Sequence, residues 1–182
     1  MTLAPVIAVV GPSGVGKDSV MQALVAQASG IQRLRRVITR PEGEEGEDFD
    51  RVSVATFQQM ERAGAFALSW PAHGLFYGVP TEITRQRNEA DAVLVNLSRK
   101  VLVQAQEVFG DLIVISLTAE ADVLAQRLSA RGRESATEQA RRLGRAKAPL
   151  PDGLKRVIEV DNSGALEDTV AEILARLQPE SA

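Results

Sequence analysis

The stretch Val6-Ile7-Ala8-Val9-Val10-Gly11-Pro12-Ser13-Gly14-Val15-Gly16-Lys17-Asp18-Ser19 decides the reading of this chain. Its first five residues are uncharged and mostly β-branched, the pattern of a parallel strand buried on both faces. The next seven match G-x-x-x-x-G-K, and residues 18–28 read as a helix that ends near Gly30. A strand, a glycine-rich turn and a helix in that order form a phosphate cradle. Glycines let backbone N–H groups ring an anion without Cβ clashes, and the helix N-terminus points at the same anion. The lysine adds a point charge for β- and γ-phosphates. Gly11, Pro12, Ser13, Gly14, Val15, Gly16, Lys17, Asp18 and Ser19 are therefore the candidate nucleotide-binding positions. One departure stands out. The residue after the lysine is ordinarily a Ser or Thr that binds Mg²⁺; here it is Asp18, followed by Ser19. A carboxylate is an acceptable hard oxygen ligand, and an acid in a first helical turn is also favoured by the macrodipole. Asp18 and Ser19 are the competing metal-ligand candidates.

Outward from this motif the chain returns to strand–helix alternation. Strands are expected at 92–95, 112–117 and 157–160, and helices at 98–108, 120–130 and 165–177. A charged break at 131–137 leads into a basic helix through Lys147. This alternation implies an α/β fold with a parallel sheet covered on both faces. Residues from about 33 to 79 break the rhythm: three arginines within 32–39 with Arg40 next, Pro41, an acidic loop at 42–50, a helix at 54–63, strands at 66–70 and 75–79 around a turn at 71–74, then a polar helix at 81–88. That stretch reads as an insertion. The expected organisation is one domain, with a core of about 1–32, 92–130 and 148–182, an acceptor-binding insertion of about 33–91 and a lid of about 131–147.

Composition narrows the chemistry. The 182 residues hold 21 Lys and Arg against 24 Asp and Glu, a net charge of −3, and the slight acidity argues against a dedicated nucleic-acid binder. With no cysteine and one histidine, His73, a thiolate zinc site, a Cys nucleophile and a His-based triad are unexpected. No apolar run approaches the ~20 residues that span a bilayer, and the N-terminus lacks a basic n-region, so a cytoplasmic protein without a membrane partner is expected. No Asn is followed by Lys, which removes the base-reading motif of GTPases. A short P-loop chain with arginines after its first helix points to phosphoryl transfer onto a small acceptor. Arginine forks match phosphate oxygens bidentately. Arg40, in Thr39-Arg40-Pro41, is the stronger ligand candidate, whereas Arg33 and Arg35 read as a solvated strand face.

Gly11–Lys17, Thr39-Arg40-Pro41, Gly74-Leu75-Phe76-Tyr77-Gly78 and a late arginine-rich segment are laid out as in guanylate kinases, over nearly the whole chain. The resemblance implies a three-layer α/β/α P-loop NTPase fold with a parallel core sheet, an acceptor-binding insertion and an arginine lid. The guanine-reading positions depart. Ser69, Val79 and Asn96 stand where that family carries acidic or hydroxyl groups, Phe49 replaces a tyrosine, and no second arginine follows Pro41. A guanine pocket needs acceptors for the base's N–H groups, and these losses remove them.

The departures form a pattern of their own. Gly16-Lys17-Asp18-Ser19, Ser69-Trp70-x-Ala72-x-Gly74-Leu75-x-Tyr77-Gly78, Val95-Asn96-x-Ser98-Arg99 and Arg131-Gly132-Arg133-Glu134 together resemble the ribose 1,5-bisphosphate phosphokinase family of bacterial phosphonate degradation. That resemblance implies transfer of the γ-phosphoryl of ATP, with Mg²⁺, to the 1-phosphate of ribose 1,5-bisphosphate, giving 5-phosphoribosyl 1-diphosphate (PRPP). It implies catalytic roles for Lys17, Arg131, Arg133 and Arg142. Arg36, Arg40, Tyr77, Asn96, Ser98 and Arg99 would bind the sugar phosphate, and Asn162 would lie in an adenine-contacting loop. Tyr77 also reads as a core residue, Arg99 as a surface residue and the 161–164 segment as a helix cap. The expected assembly is a monomer or homodimer without a nucleic-acid partner. A divergent guanylate or other nucleoside-monophosphate kinase and a non-catalytic guanylate-kinase-like binding module are the rivals; modules of the latter kind tend to lose the lysine and lid arginines present here. Since Ser69, Val79 and Asn96 replace guanine-reading groups, GMP should be a poor acceptor. Comparison of kcat/KM for GMP and ribose 1,5-bisphosphate checks this, and parity between them would favour the nucleotide-kinase reading.

Overall fold

The computed structural model describes residues 3–12, 14–41, 49–131 and 149–177. Five parallel strands build the core sheet: β1 (Val6–Val10), β2 (Ile31–Arg33), β7 (Ala92–Asn96), β8 (Leu112–Thr118) and β9 (Val157–Asp161). Their spatial order is β2-β7-β1-β8-β9, so the strand that feeds the glycine-rich turn lies in the centre. Every residue of β1 is buried, as its unbroken apolar run requires. Val6, Ala8 and Val10 face one side of the sheet, and Ile7 and Val9 the other. The second side is covered by α1 (Lys17–Gln27), α5 (Ala121–Arg131) and α6 (Leu166–Leu177), through Val20, Met21, Leu24, Leu124, Val170 and Ile173.

The first side meets α3 (Ile83–Glu89), α4 (Leu102–Phe109) and a second sheet. That sheet has the order β4-β3-β6-β5, from β3 (Val37–Ile38), β4 (Asp50–Arg51), β5 (Phe66–Ala72) and β6 (Leu75–Pro80). β5 and β6 form an antiparallel hairpin whose turn is His73-Gly74, both at positive φ (53° and 75°), the geometry of a tight two-residue hairpin loop. His73 thus sits on an insertion turn, as its glycine neighbour suggests. α2 (Val54–Arg62) begins where the Ser53 hydroxyl accepts the Thr56 N–H at 3.1 Å and packs Phe57 against Phe66 and Phe76.

Several boundaries differ from the sequence expectation. The arginine-bearing stretch is divided: Arg33 pairs beside Leu94 in the core sheet, while Val37 pairs with Gly78 in the second. The strands of the second sheet fall within 37–80. α3 is bound to the core, because Arg87 donates to the carbonyls of Ala4 (2.7 Å) and Phe109 (3.2 Å). The 98–108 helix opens as a 3₁₀ turn at Arg99–Val101. The acidic loop over 42–48, the break after Arg131 and the basic helix through Lys147 lie outside the described residues.

Phe57 is 1% exposed and stacks on two other rings at centroid distances of 4.7 and 5.6 Å. Phe57→Ala should cost about 3–5 kcal/mol of stability by opening a cavity under the second sheet. A drop in the urea midpoint at unchanged m-value measures it.

Candidate active site

β1 brings Val10 to the carboxyl end of the core sheet, where the chain turns through the glycine-rich loop into α1. Gly14 and Gly16 have φ of 87° and 97°, a left-handed backbone that disfavours side chains. Gly16 also has no room for one, since a Cβ would lie 2.7 Å from Asn162 Nδ2. Lys17 Nζ donates to the Gly11 carbonyl at 2.6 Å, so its ammonium folds back across the loop.

The loop is held by two side chains from distant sequence. Asn162, 5% exposed at the end of β9, donates Nδ2 to the Val15 carbonyl at 2.7 Å and accepts the Thr169 hydroxyl on Oδ1 at 2.6 Å. Arg127 of α5 donates Nη1 to the carbonyls of Gly14 and Val15, each at 3.2 Å, and Nη2 to the Asn162 carbonyl at 2.8 Å. Loop carbonyls with donors of their own suit an anion site, because a phosphate repels carbonyl oxygens and takes N–H groups. The side chain of Asn162 is therefore a strut of the loop. Arg127 escaped the sequence reading; its one signal was its place at the start of an arginine-dense segment. Asp161 Oδ1 accepts both the amide (2.8 Å) and the hydroxyl (2.6 Å) of Ser163, which orders the turn ahead of α6.

Asp18 lies in the first turn of α1, and its Oδ1 accepts Arg33 Nη2 at 2.5 Å. Arg33 is thereby no solvated strand residue: its side chain is 17% exposed. Arg35 does face solvent, paired with Asp50 at 2.9 Å. Ser19 is exposed beside Asp18, and Ser13 lies outside the described residues.

A second group of expected site residues converges over the carboxyl end of β7. Trp70 Nε1 donates to Ser98 Oγ at 2.9 Å, and the Trp70 and Tyr77 rings stack 5.5 Å apart at 7°. Arg36, buried to 5% exposure, lies over the Tyr77 ring at 5.0 Å. Asn96 closes β7 two residues before Ser98, and Lys100 Nζ donates to the Pro71 carbonyl, a second tie between core and hairpin. Arg99 is half-buried, and burial pushes its guanidinium below the usual arginine range. The Arg40 guanidinium lies 4.9 Å from the Phe49 ring centroid, with Arg51 on the same ring. Ser69 donates to Glu61 at 2.7 Å, and Val79 is fully buried. Arg131 closes α5; its side chain, with Arg133 and Arg142, lies outside the described residues.

No protein-family model matches the chain. It is 57% identical over 178 residues to a ribose 1,5-bisphosphate phosphokinase PhnN of Ruegeria sp. (strain TM1040), covering 98% of this chain and 94% of that protein. It is 46% identical over 175 residues to the protein of the same name from Agrobacterium fabrum, covering 94% and 95%. Among solved structures, a guanylate kinase from Anaplasma phagocytophilum matches 97% of this chain and 86% of its own at a TM-score of 0.64 and 19% identity, a likeness of fold.

Asn162→Ala leaves the Val15 carbonyl and the Thr169 hydroxyl without their buried partner. It should destabilise the protein by about 1–3 kcal/mol, seen as a lower thermal midpoint, and loosen the loop, seen as faster amide exchange at residues 14–17.

Proposed function

The chain belongs to the ribose 1,5-bisphosphate phosphokinase family, and we propose on that premise how its residues divide the reaction. The donor is ATP. Its γ-phosphoryl passes to the 1-phosphate of ribose 1,5-bisphosphate and yields 5-phosphoribosyl 1-diphosphate, a step of phosphonate metabolism carried out in the cytoplasm by a monomer or homodimer. The observation that carries this reading is the joint between two anion-binding halves. A phosphate cradle ends β1, and the Arg36–Tyr77–Trp70 column is bonded to Ser98 just beyond the neighbouring β7.

The acceptor phosphate is already an anionic nucleophile at pH 7, so the reaction needs no general base. Catalysis then rests on alignment and charge. The N–H groups of Gly14 and Gly16 and of the first turn of α1 take the donor's phosphates, and Lys17 leaves the Gly11 carbonyl to neutralise the transferring group. Arg36, Arg40, Arg99, Tyr77, Asn96 and Ser98 hold the sugar phosphate. Its two phosphates call for guanidinium groups, and its lack of a base suits an aromatic column with no carboxylate. Asn162 and Arg127 keep the cradle in shape from behind. The family resemblance supports Arg131, Arg133 and Arg142 as the arginines that close on the phosphoryl.

Among the described residues no group of three or more His, Cys, Asp or Glu could hold a metal. A lone carboxylate at the cradle's edge nevertheless suits Mg²⁺, which commonly takes one or two carboxylates and fills its remaining positions with water and substrate phosphates. Asp18, 45% exposed, and Ser19 are the residues that would hold it. When bound, Mg²⁺ supplies charge neutralisation and orientation at the β- and γ-phosphates. No described helix is long and apolar enough to cross a membrane.

ADP release that depends on ribose 1,5-bisphosphate tests this function, and its absence would refute it. In the same assay Arg40→Ala should damage acceptor use far more than ATP binding. Loss of a charge-assisted hydrogen bond costs roughly 1.5–3 kcal/mol, or about 10- to 150-fold in acceptor kcat/KM. Lysine should rescue only in part, because it lacks the bidentate fork. Titrating ATP and acceptor on one variant separates the two effects.

A further inference from the structure

A carboxylate at position 18 conflicts with the cradle that it borders. The glycine-rich loop, the α1 N-terminus and Lys17 all attract an anion, whereas an unaccompanied Asp18 repels one. A hydroxyl in that position would raise no such conflict. The edge strand of the core sheet supplies the remedy. Residue 33 is fixed beside Leu94 by the β2–β7 register, and Arg33 Nη2 reaches Asp18 Oδ1 at 2.5 Å. The Arg33 side chain is 17% exposed and that of Asp18 45%, so the cation is anchored while the acid's side chain still reaches solvent. A guanidinium keeps its charge at any physiological pH, and the neutralisation is therefore permanent.

We propose that Arg33 is the positioning residue that makes Asp18 compatible with a nucleoside triphosphate: it cancels the charge at position 18 and holds Oδ1, leaving Oδ2 to serve a metal. In this role Arg33 acts through Asp18, as outer partners orient the ligands of metal sites. This inference rests on the nucleotide-binding reading above. Two consequences follow from charge alone. Without Arg33, the acid at position 18 opposes metal-free ATP, and a divalent cation relieves the opposition. Without Asp18, Arg33 adds attraction, and metal-free ATP binds more tightly.

The test is calorimetric titration of ATP in EDTA and in Mg²⁺ with the wild-type chain, Arg33→Met, Arg33→Lys, Asp18→Asn and the double variant Asp18→Asn/Arg33→Met. In EDTA, Arg33→Met should weaken ATP binding by about three- to tenfold, and Asp18→Asn should tighten it by a similar factor. The double variant should return near the wild-type value, and Arg33→Lys should stay close to it. In Mg²⁺ the Arg33→Met deficit should shrink. A purely structural role for Arg33 would weaken ATP equally with and without Mg²⁺, and Asp18→Asn would not reverse the loss; either result overturns the proposal. If Arg33→Met does not fold, Asp18→Asn decides alone, because unchanged metal-free affinity in that variant refutes the charge argument. Wild-type protein that binds no ATP in either buffer would overturn the nucleotide reading together with this one, whereas ATP binding indifferent to these variants overturns only the role of Arg33.

Discussion

The site depends on where the carbonyls of Gly14 and Val15 find their donors. A loop that is to offer N–H groups to phosphate must have its carbonyls engaged elsewhere, since an oxygen turned toward the anion would repel it. Here the donors are Arg127 of α5 and the buried amide of Asn162. Both residues lie more than a hundred positions along the chain from the loop. They stand beside it because β8 and β9 continue the parallel sheet from β1, so that the chain leaving each strand emerges at the same edge. Asn162 also accepts from Thr169 of α6. One amide thus joins the cradle, the last strand and the last helix, and its close approach adds to the left-handed backbone in excluding a side chain at position 16.

The second half of the site is organised by a different force. Trp70 and Tyr77 belong to neighbouring strands of the hairpin and stack across it, with Arg36 of the adjoining segment over the Tyr77 ring. Stacking buries large rings yet leaves the indole N–H in need of a partner, and the Ser98 hydroxyl beyond β7 meets that need. Lys100 and the Pro71 carbonyl add a second bond between the same two parts. The two sheets are thereby joined near the carboxyl end of β7, beside the strand that carries the cradle. A buried guanidinium lies in that column, and Val79, on the same strand as Tyr77, is fully buried.

Much of this is legible in the order of residues. The β-branched run at 6–10, the glycine spacing at 11–16 and the lysine after it identify a buried strand, a cradle and a helix, since each of these depends on residues adjacent in sequence. The turn before Leu75 is local in the same sense. The division of residues 31–38 between two sheets was not readable, because Arg33 and Val37 differ in which strand pairs with them rather than in any nearby residue.

Residue order therefore decided the glycine-rich loop with its lysine, the strand–helix alternation and, through Ser69, Val79 and Asn96, the departure from the guanylate-kinase sequence pattern. Those properties reside in short segments whose backbone preferences and side-chain chemistry act over a few residues. The fold alone decided that Arg33 pairs with Asp18 instead of facing water, that Asn162 and Arg127 hold the loop carbonyls, and that Trp70 is bonded to Ser98. Each of those contacts joins side chains from separate elements. Its existence depends on strand order and register, which no single segment contains.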